Sequence, residues 1–230
     1  MSTTSPYDIW TTLNQLKEPL ASAVRTLEED IIFGRLRPRQ RLIEDILMER
    51  FGIKRHVARQ ALIVLEQLGI VTREPNKGAR VREFSPEEIS QIYDVRFLLQ
   101  AHAARLIPLP VDASLLERLR ATHAQHCRAM ETGDLALIYR YDNEFHDLIF
   151  EACGNPYLSD TIKRYASLAH AIRAYRLSDP ALLGQSKDEH GQMIDALDLG
   201  DRELLVHLCT EHIKPSIRAY LATEKGTEEA

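Results

Sequence analysis

The sequence contains no long apolar run. No stretch of its 230 residues approaches the roughly 18 consecutive apolar residues that a membrane-spanning helix needs. The N-terminal segment also lacks the apolar stretch that is typical of a secretion signal. These absences exclude a membrane protein and argue against export. We therefore expect a cytoplasmic protein.

Cysteine is scarce as well. The three cysteines, Cys127, Cys153 and Cys209, are isolated from one another, odd in number and never in a CxxC pair. This spacing excludes a disulfide framework and a paired-thiolate metal site, and it fits a reducing compartment. With 44% hydrophobic and 27% charged residues, the chain is otherwise typical of a soluble globular protein. Its length suits one large domain or two small ones.

An excess of positive charge is absent too. The formal net charge of -5 argues against a general polyanion binder. The charge is nevertheless divided unevenly, because residues 1–82 hold 14 Lys and Arg against 10 Asp and Glu, whereas residues 83–230 hold 15 against 24. Either this division is chance, or the first third of the chain carries a basic face.

The first 82 residues have the pattern of three helices followed by two strands, which predicts a winged helix-turn-helix domain over residues 1–82. Each predicted helix stops at a glycine, namely Gly34, Gly52 or Gly69. An arginine-rich connection follows the first helix, and Pro38 keeps it from being helical. We predict helices from Leu20 to the residues before Gly34, at Ile43–Phe51 and at Lys54–Leu68, strands at Ile70–Arg73 and Ala79–Arg82, and a short leading helix around Ile9, Trp10, Leu13 and Leu16 as an open alternative.

Residues 83–230 form a second domain with an entirely helical pattern. It opens at Ser85-Pro86-Glu87-Glu88, which has the residues of a helix N-cap with a capping box. Further aspartates stand where helix N-caps are wanted. They are Asp112, Asp134, Asp179 and Asp201. We predict an all-α antiparallel bundle of six helices, or seven if residues 180–200 are split, and hence a mainly α protein.

The start of the third helix carries a cluster of basic residues. Arg55 and Arg59 share one helix face because they are four residues apart. The N-terminal end of a recognition helix meets base edges in the major groove, and the arginine fork can bind guanine through two hydrogen bonds. The alternative is an ordinary solvated helix face. We predict DNA contacts from Lys54, Arg55, His56 and Arg59, and from Asn76, Lys77 and Gly78 in the turn between the strands.

Four side chains of the second domain have spacings that suit one metal ion. Asp142 and His146 lie four residues apart, so both project from one helix face. His190 lies ten residues before Gly200, and His212 lies eleven after Asp201. If that turn joins two antiparallel helices, the two rings lie at nearly equal height. Three imidazoles and one carboxylate suit Zn, Ni, Mn or Fe(II) better than Ca or Mg. A single histidine is more often an ordinary polar residue, but this combination favours a metal site.

Residues 20–82 resemble the GntR family of bacterial transcription regulators. That family has a segment like VSRTPVREAL, then LExxGLV, then a GxxV wing. This chain has IKRHVARQAL at 53–62, LEQLGIV at 65–71 and GARV at 78–81. Both arginines of the family's DNA-contacting helix are present, as Arg55 and Arg59. Lys54 replaces the usual Ser or Thr, and Val57 replaces a Pro. The resemblance therefore implies the fold and DNA binding, but not the usual operator sequence.

Residues 86–215 look like the FCD ligand-binding domain, which follows the winged helix in the FadR-type branch of that family. Its motifs appear in order, as DNEFH at 142–146, GNP at 154–156, EHGQMIDAL at 189–197 and EHI at 211–213. In metal-binding members, the Asp and three His of these motifs hold a divalent ion, often zinc or nickel. A small carboxylate effector binds on it or beside it. The resemblance implies zinc as the favoured ion at Asp142, His146, His190 and His212.

The resemblance also implies which residues would contact an effector. Arg96 matches an arginine of the domain's first helix, and arginine supplies fixed, bidentate donors for a carboxylate. Gln100 stands where the family usually has Glu, so the polar lining differs. The alternative for Arg96 is a surface salt bridge. The candidate effector contacts are Arg96, Asn155 of the GNP turn, and Arg173 or Arg176.

Together these features predict a homodimeric, DNA-binding transcription regulator. A small organic acid, bound at or beside a divalent metal, would control its affinity for operator DNA. A dimer is expected because one short helix reads few bases and two half-sites supply specificity. Two alternatives stay open. One is the same regulator with a metal-free organic ligand pocket. The other is a helical metalloenzyme, although no nucleophile or base stands beside the four ligands.

Overall fold

The structure is a computed structural model that describes residues 16–74, 78–169, 172 and 179–228. The apolar residues Ile9, Trp10 and Leu13, on which the leading helix was predicted, lie outside the described part. The described helices and strands are α1 (Leu20–Ile32), β1 (Arg41–Leu42), α2 (Glu44–Phe51), α3 (Arg55–Gln67), β2 (Val71–Glu74), β3 (Gly78–Val81), α4 (Pro86–Leu106), α5 (Ala113–Thr132), α6 (Leu135–Glu151), α7 (Pro156–Leu168), α8 (Pro180–Leu199), α9 (Arg202–Glu211) and α10 (Lys214–Glu228).

The N-terminal part is a winged helix-turn-helix, as predicted. Val24 and Leu27 of α1 pack in one core with Ala61 and Leu65 of α3. All four side chains are almost completely buried. α2 ends at Gly52, whose left-handed φ of 62° suits glycine and turns the chain toward α3. Because the apolar stripe of α3 faces this core, the polar side of the helix is left at the surface.

The sheet has one strand more than the predicted hairpin. β3 lies in the middle, antiparallel to β2 on one side and to β1 on the other. β1 pairs Arg41 with Arg80 and Leu42 with Ala79. The connection is non-helical, but the sequence analysis did not predict that its last residue, Arg41, begins a strand. A strand of two residues is too short to show the alternation that identifies a strand, and only the burial of Leu42 marks it.

The described residues of the C-terminal part form helices, as predicted, and five of these helices begin at the N-caps that the sequence indicates. Ser85 and Glu88 form a reciprocal capping box at the start of α4. Each predicted aspartate accepts a hydrogen bond from a backbone N–H group in the first turn of its helix. Local signals at the helix starts therefore divide the bundle correctly.

The number of helices follows from a break that the sequence analysis missed. Seven helices, α4 to α10, lie in the described part of this region, but α8 runs unbroken through Pro180–Leu199. The break falls instead at His212-Ile213, between α9 and α10. Pro215, the second residue of α10, has no N–H group to donate and is tolerated only in the first turn of a helix. His212 therefore lies at a helix end and not in a helix interior.

The two parts of the chain pack against each other at two places. At the end of α1, Ile32 and Phe33 join a cluster with Ile138 and Tyr139 of α6. At the turn after α3, Gly69 lies against Leu168 of α7. Among the described helices, none combines the length and the apolar character needed to cross a bilayer.

The contact at Gly69 generates a stability prediction. Gly69 has φ +78°, and a Cβ atom there would overlap Cδ2 of Leu168, whereas a Cβ atom at Gly133 (φ +68°) would meet no heavy atom within 4 Å. We expect Gly133→Ala to cost roughly 1–2 kcal/mol through backbone strain alone. Gly69→Ala should cost about 1 kcal/mol more because Leu168 must also move. Urea unfolding of both variants measures the difference.

A further substitution separates the two causes at Gly69. Adding Leu168→Ala to Gly69→Ala removes the overlapping methyl group, so the cost relative to Leu168→Ala alone should fall to that of Gly133→Ala. An equal cost for Gly69→Ala with and without Leu168 would contradict the packing between the two parts that the structure shows.

Candidate metal centre

The four predicted ligands come from three separate stretches of helix. Asp142 and His146 project from one face of α6, and His190 lies on α8. His212 follows α9 directly, at the break before α10. The hairpin of α8 and α9 turns at Gly200 (φ +73°), as expected from the sequence. The structure thus brings together all four side chains that the sequence places at one point.

The donor atoms of the cluster have the spacing of ligands around a single ion. Nε2 of His146 lies 3.0 Å from Nε2 of His212 and 3.3 Å from Nε2 of His190. Oδ1 of Asp142 lies 3.5 Å from Nε2 of His190 and 3.9 Å from Nε2 of His146. Metal–ligand bonds of about 2.0–2.2 Å place neighbouring ligand atoms roughly 3.0–3.5 Å apart. The donor set and its spacing therefore fit a divalent transition metal ion.

The cluster is held inside the bundle. His190 is 0% exposed, and the ring of Phe145 stacks on it at a centroid distance of 4.2 Å. Asp142 and His212 are also buried. Buried polar groups are costly unless they find partners, so the three buried members of the cluster need each other, the partly buried His146 or a bound ion.

Glu189 orients one ligand from outside the cluster. Its Oε2 lies 2.6 Å from Nδ1 of His212, and Gln185 donates to its Oε1 at 2.7 Å. With the Nδ1 proton donated to Glu189, the lone pair on Nε2 of His212 faces the other ligands. The sequence analysis missed this role. The available signal was a carboxylate next to His190, on a helix expected to lie beside His212.

The cluster opens onto a cavity of about 50 Å³. One water molecule needs roughly 10–15 Å³, so this space holds several waters or a small organic molecule. The residues that line it are Arg96, Gln100, His126, Tyr139, Asp142, Asn143, His146, Asp147, Phe150, Ile162, Lys163, Ala166, Leu183, Ser186, His212, Ile213 and Ser216. Of these, His126, Tyr139 and Lys163 were not predicted. His126 and Lys163 lie on helices whose rotation relative to the cluster the sequence does not show, whereas Tyr139 lies three residues before Asp142 on α6, a spacing that could have indicated it.

Arg96 is a buried charged side chain in the wall of this cavity. It is 4% exposed, and no described residue hydrogen-bonds to its Nε or Nη1. Its guanidinium lies over the ring of Tyr93, 4.7 Å from the centroid. Burial lowers the pKa of Arg96, and Tyr93 offsets part of this effect. The predicted alternative, a surface salt bridge, does not fit a side chain that is buried.

Lys163, the other basic residue of the cavity wall, has partners within the protein. Its Nζ lies 2.7 Å from Oε1 of Glu151 and 3.5 Å from Oδ2 of Asp147. Burial alone would lower the pKa of Lys163, but the two carboxylates stabilise the ammonium group and raise it. The positive charge of Lys163 is therefore balanced by two carboxylates. Among the described residues that line the cavity, Arg96 is then the basic side chain that no carboxylate balances.

Comparison with known proteins identifies the two parts. Residues 20–81 match the family described as "Bacterial regulatory proteins, gntR family", and residues 91–215 match the "FCD domain". The FCD match alone covers more than half of the chain. The chain belongs to the GntR family of transcriptional regulators and carries an FCD domain.

The relatives of this GntR-family chain are themselves regulators. The transcriptional repressor RspR of Escherichia coli is 23% identical over 89% of this chain and 90% of its own length. The repressor GlaR of the same organism is 27% identical over 82% and 90%. The solved structure of E. coli McbR/YncC has a TM-score of 0.77 at 22% identity, covering 90% of this chain and all of that one. The matched domains and relatives are transcriptional regulators and not enzymes, which favours the regulator over the metalloenzyme alternative.

The DNA-binding end of this GntR-family chain presents its arginines to solvent. Arg55 and Arg59 lie in the first turns of α3, and both are more than half exposed. Nε of Arg59 donates to Oε1 of Glu44 at 3.0 Å, and Arg55 pairs with Asp45 and Glu44. The hydrogen bond from Arg59 is the main reason why the pKa of Glu44 is lowered. The predicted residues Lys54 and His56 are exposed at the same helix start.

The remaining predicted site residues lie elsewhere. Asn155 is exposed, its side-chain oxygen accepts a hydrogen bond from N–H of Leu158 at 3.2 Å, and it does not line the cavity. Asn155 thus caps α7, and its position gives no support to an effector contact. Gly78 begins β3 with φ +83°. Asn76, Lys77, Arg173 and Arg176 lie outside the described residues.

Proposed function

We propose that this regulator is a homodimer whose affinity for operator DNA is controlled by a small organic acid. The acid binds at or beside a divalent metal, with zinc favoured, held by Asp142, His146, His190 and His212. The observation that carries the proposal is that the four-ligand cluster opens onto the cavity that contains the buried guanidinium of Arg96. A bound divalent ion would supply a Lewis-acidic centre for the oxygens of the acid.

Each end of the chain has a defined part in this proposal. Arg96 binds a carboxylate of the acid, because a buried guanidinium whose Nε and Nη1 have no hydrogen-bond partner among the described residues is stabilised by an anion. Lys54, Arg55, His56 and Arg59 contact operator DNA, together with Asn76, Lys77 and Gly78 of the wing. Two copies read two half-sites. The acid changes DNA affinity only through a difference in its affinity for two arrangements of the dimer.

One observation favours a second candidate, a metal-free pocket for an organic ligand. Nε2 of His146 lies 3.0 Å from Nε2 of His212 and 3.3 Å from Nε2 of His190. These are also hydrogen-bonding distances between a protonated and an unprotonated ring nitrogen. The imidazoles can therefore hydrogen-bond to one another in place of binding an ion. Elemental analysis of protein purified without chelators decides, since substoichiometric metal that soaking does not restore would favour this candidate.

The role of Glu189 generates the test of the metal site. Replacing the carboxylate that orients His212 should weaken zinc binding by about 10–100-fold without removing a ligand, so we expect this effect from Glu189→Gln. Calorimetric titration of chelator-stripped protein with zinc measures this change in affinity. Glu203→Gln, an exposed substitution on α9, is the matched control and should bind like the wild type. Wild-type protein that takes up no zinc would contradict the metal site.

Burial of Arg96 generates a test of the acid site. Because the guanidinium is buried without a carboxylate partner among the described residues, Arg96→Met should leave the ligand-free protein at least as stable as the wild type. The same change should abolish the rise in Tm that a binding acid produces. Thermal unfolding with a panel of hydroxy acids, sugar acids and dicarboxylates measures both effects. Arg118→Met on the exposed side of α5 is the control, and retained stabilisation in Arg96→Met would refute the assignment.

The exposed arginines of α3 generate a DNA-binding test. Each arginine that reads a guanine contributes about 1–3 kcal/mol of discrimination, so Arg55→Ala or Arg59→Ala should weaken binding to an operator duplex by roughly 5–150-fold. The duplex is selected by the wild-type protein from a random library, and binding is measured by fluorescence anisotropy at fixed salt. Arg118→Ala removes the same single positive charge as the other two variants, and it should bind as the wild type does. Equal losses in all three variants would indicate a general charge effect.

A further inference from the structure

Helix α1 belongs to both parts of the molecule. Its residues Val24 and Leu27 lie in the core of the winged part, packed with Leu65 of the recognition helix α3. At its C-terminal end, Ile32 is only 1% exposed, and Phe33 follows it. Both side chains pack in a cluster of the helical bundle and not in the winged core. A displacement of this end of α1 is therefore transmitted to α3 through a well-packed core.

Two residues of that cluster also line the cavity. Tyr139 of α6 lies at a ring-centroid distance of 6.3 Å from Phe33, edge to face, and it forms part of the cavity wall. Leu183 of α8 packs against the same cluster and lines the cavity as well. Tyr139 thus has the cavity on one side and the end of α1 on the other, and Leu183 links the cavity to the same cluster.

The helices that carry these residues also carry the candidate metal ligands. Tyr139 precedes Asp142 by three residues on α6, so the two lie on one face of the helix. Leu183 precedes His190 by seven residues, which is two helical turns on α8. A bound ion that draws Asp142 and His190 together therefore acts on the two helices that contribute Tyr139 and Leu183 to this cluster.

We propose that the contact between Tyr139 and Phe33 couples the cavity to the recognition helix. Tyr139 acts as a positioning residue: its ring follows the occupancy of the cavity, and Phe33 transmits that change along α1 to α3. This inference rests on the proposed function, because it takes the cluster and cavity as the ligand site. It adds the route by which occupancy reaches the DNA-binding surface.

The second contact between the two parts is less suited to this role. Gly69 meets Leu168, and Arg82 donates to Glu88 at 3.1 Å. Neither Leu168 nor Glu88 lines the cavity. The contact at Gly69 therefore holds the winged part in place, while the contact at Phe33 senses the ligand.

Hydrogen exchange of the full-length protein, stripped with chelator and then loaded with zinc alone, tests the coupling. In the wild type, zinc should slow exchange in α6 and α8 and also in α1. We expect a change of about 5-fold or more in α1, the lower end of typical coupling between sites. In Phe33→Ala, zinc should still protect α6 and α8, but the response of α1 should be lost. Ile46→Ala, which truncates an exposed apolar residue of α2, is the matched control and should respond like the wild type.

The outcomes separate this inference from the proposed function. Protection of α6 and α8 without any response of α1 in the wild type overturns the coupling and leaves the metal site intact. An undiminished response of α1 in Phe33→Ala also overturns it and points to the contact at Gly69. Zinc that protects no helix removes the metal site itself, and the coupling with it. If Phe33→Ala does not fold, Phe33→Leu, which keeps the apolar volume but loses the ring contact with Tyr139, serves in its place.

Discussion

One carboxylate and three imidazoles meet at a single point in the helical bundle, and three of the four side chains are buried there. Polar groups removed from water are costly unless they are paired, and Asp142, His190 and His212 are all nearly inaccessible. They come from different helices, so the cost is offset only if those helices keep one mutual register. The turn at Gly200 and the helix break after His212 establish that register. The cluster is thus a constraint on the packing of the bundle as well as a site.

This constraint reaches the rest of the molecule through the length of the helices. A helix that carries a candidate metal ligand in its middle also carries, one or two turns away, a residue that packs against a different part of the molecule. On α6, Asp142 faces the cluster and Tyr139 faces the end of α1. On α8, His190 and Leu183 are arranged in the same way. The ligand site and the packing of the winged part are therefore set by the same two helices.

The sequence predicted those features that depend on local spacing. Helix N-caps such as Ser85 and Asp134 are encoded within four residues, and the meeting of His190 with His212 follows from counting along two helices about one glycine turn. Features that depend on helix rotation or on very short elements were not predictable. The position of Glu189 beside His190 is a local signal, but the 2.6 Å contact with His212 depends on how α8 packs against α9. The two-residue strand at Arg41 has no readable alternation, and the burial of Arg96 depends on the packing around α4.

Arginine is used in opposite ways at the two ends of the chain. Arg55 and Arg59 are exposed and paired with Glu44 and Asp45, and exposed ion pairs contribute little to stability. These arginines can leave their carboxylates for DNA at small cost. Arg96 is buried, with no described partner for Nε or Nη1, so its electrostatic environment changes greatly when an anion arrives. Exposed ion pairs that exchange easily suit a surface that must bind and release DNA. A buried charge without a counter-ion among the described residues suits a pocket that binds an anion.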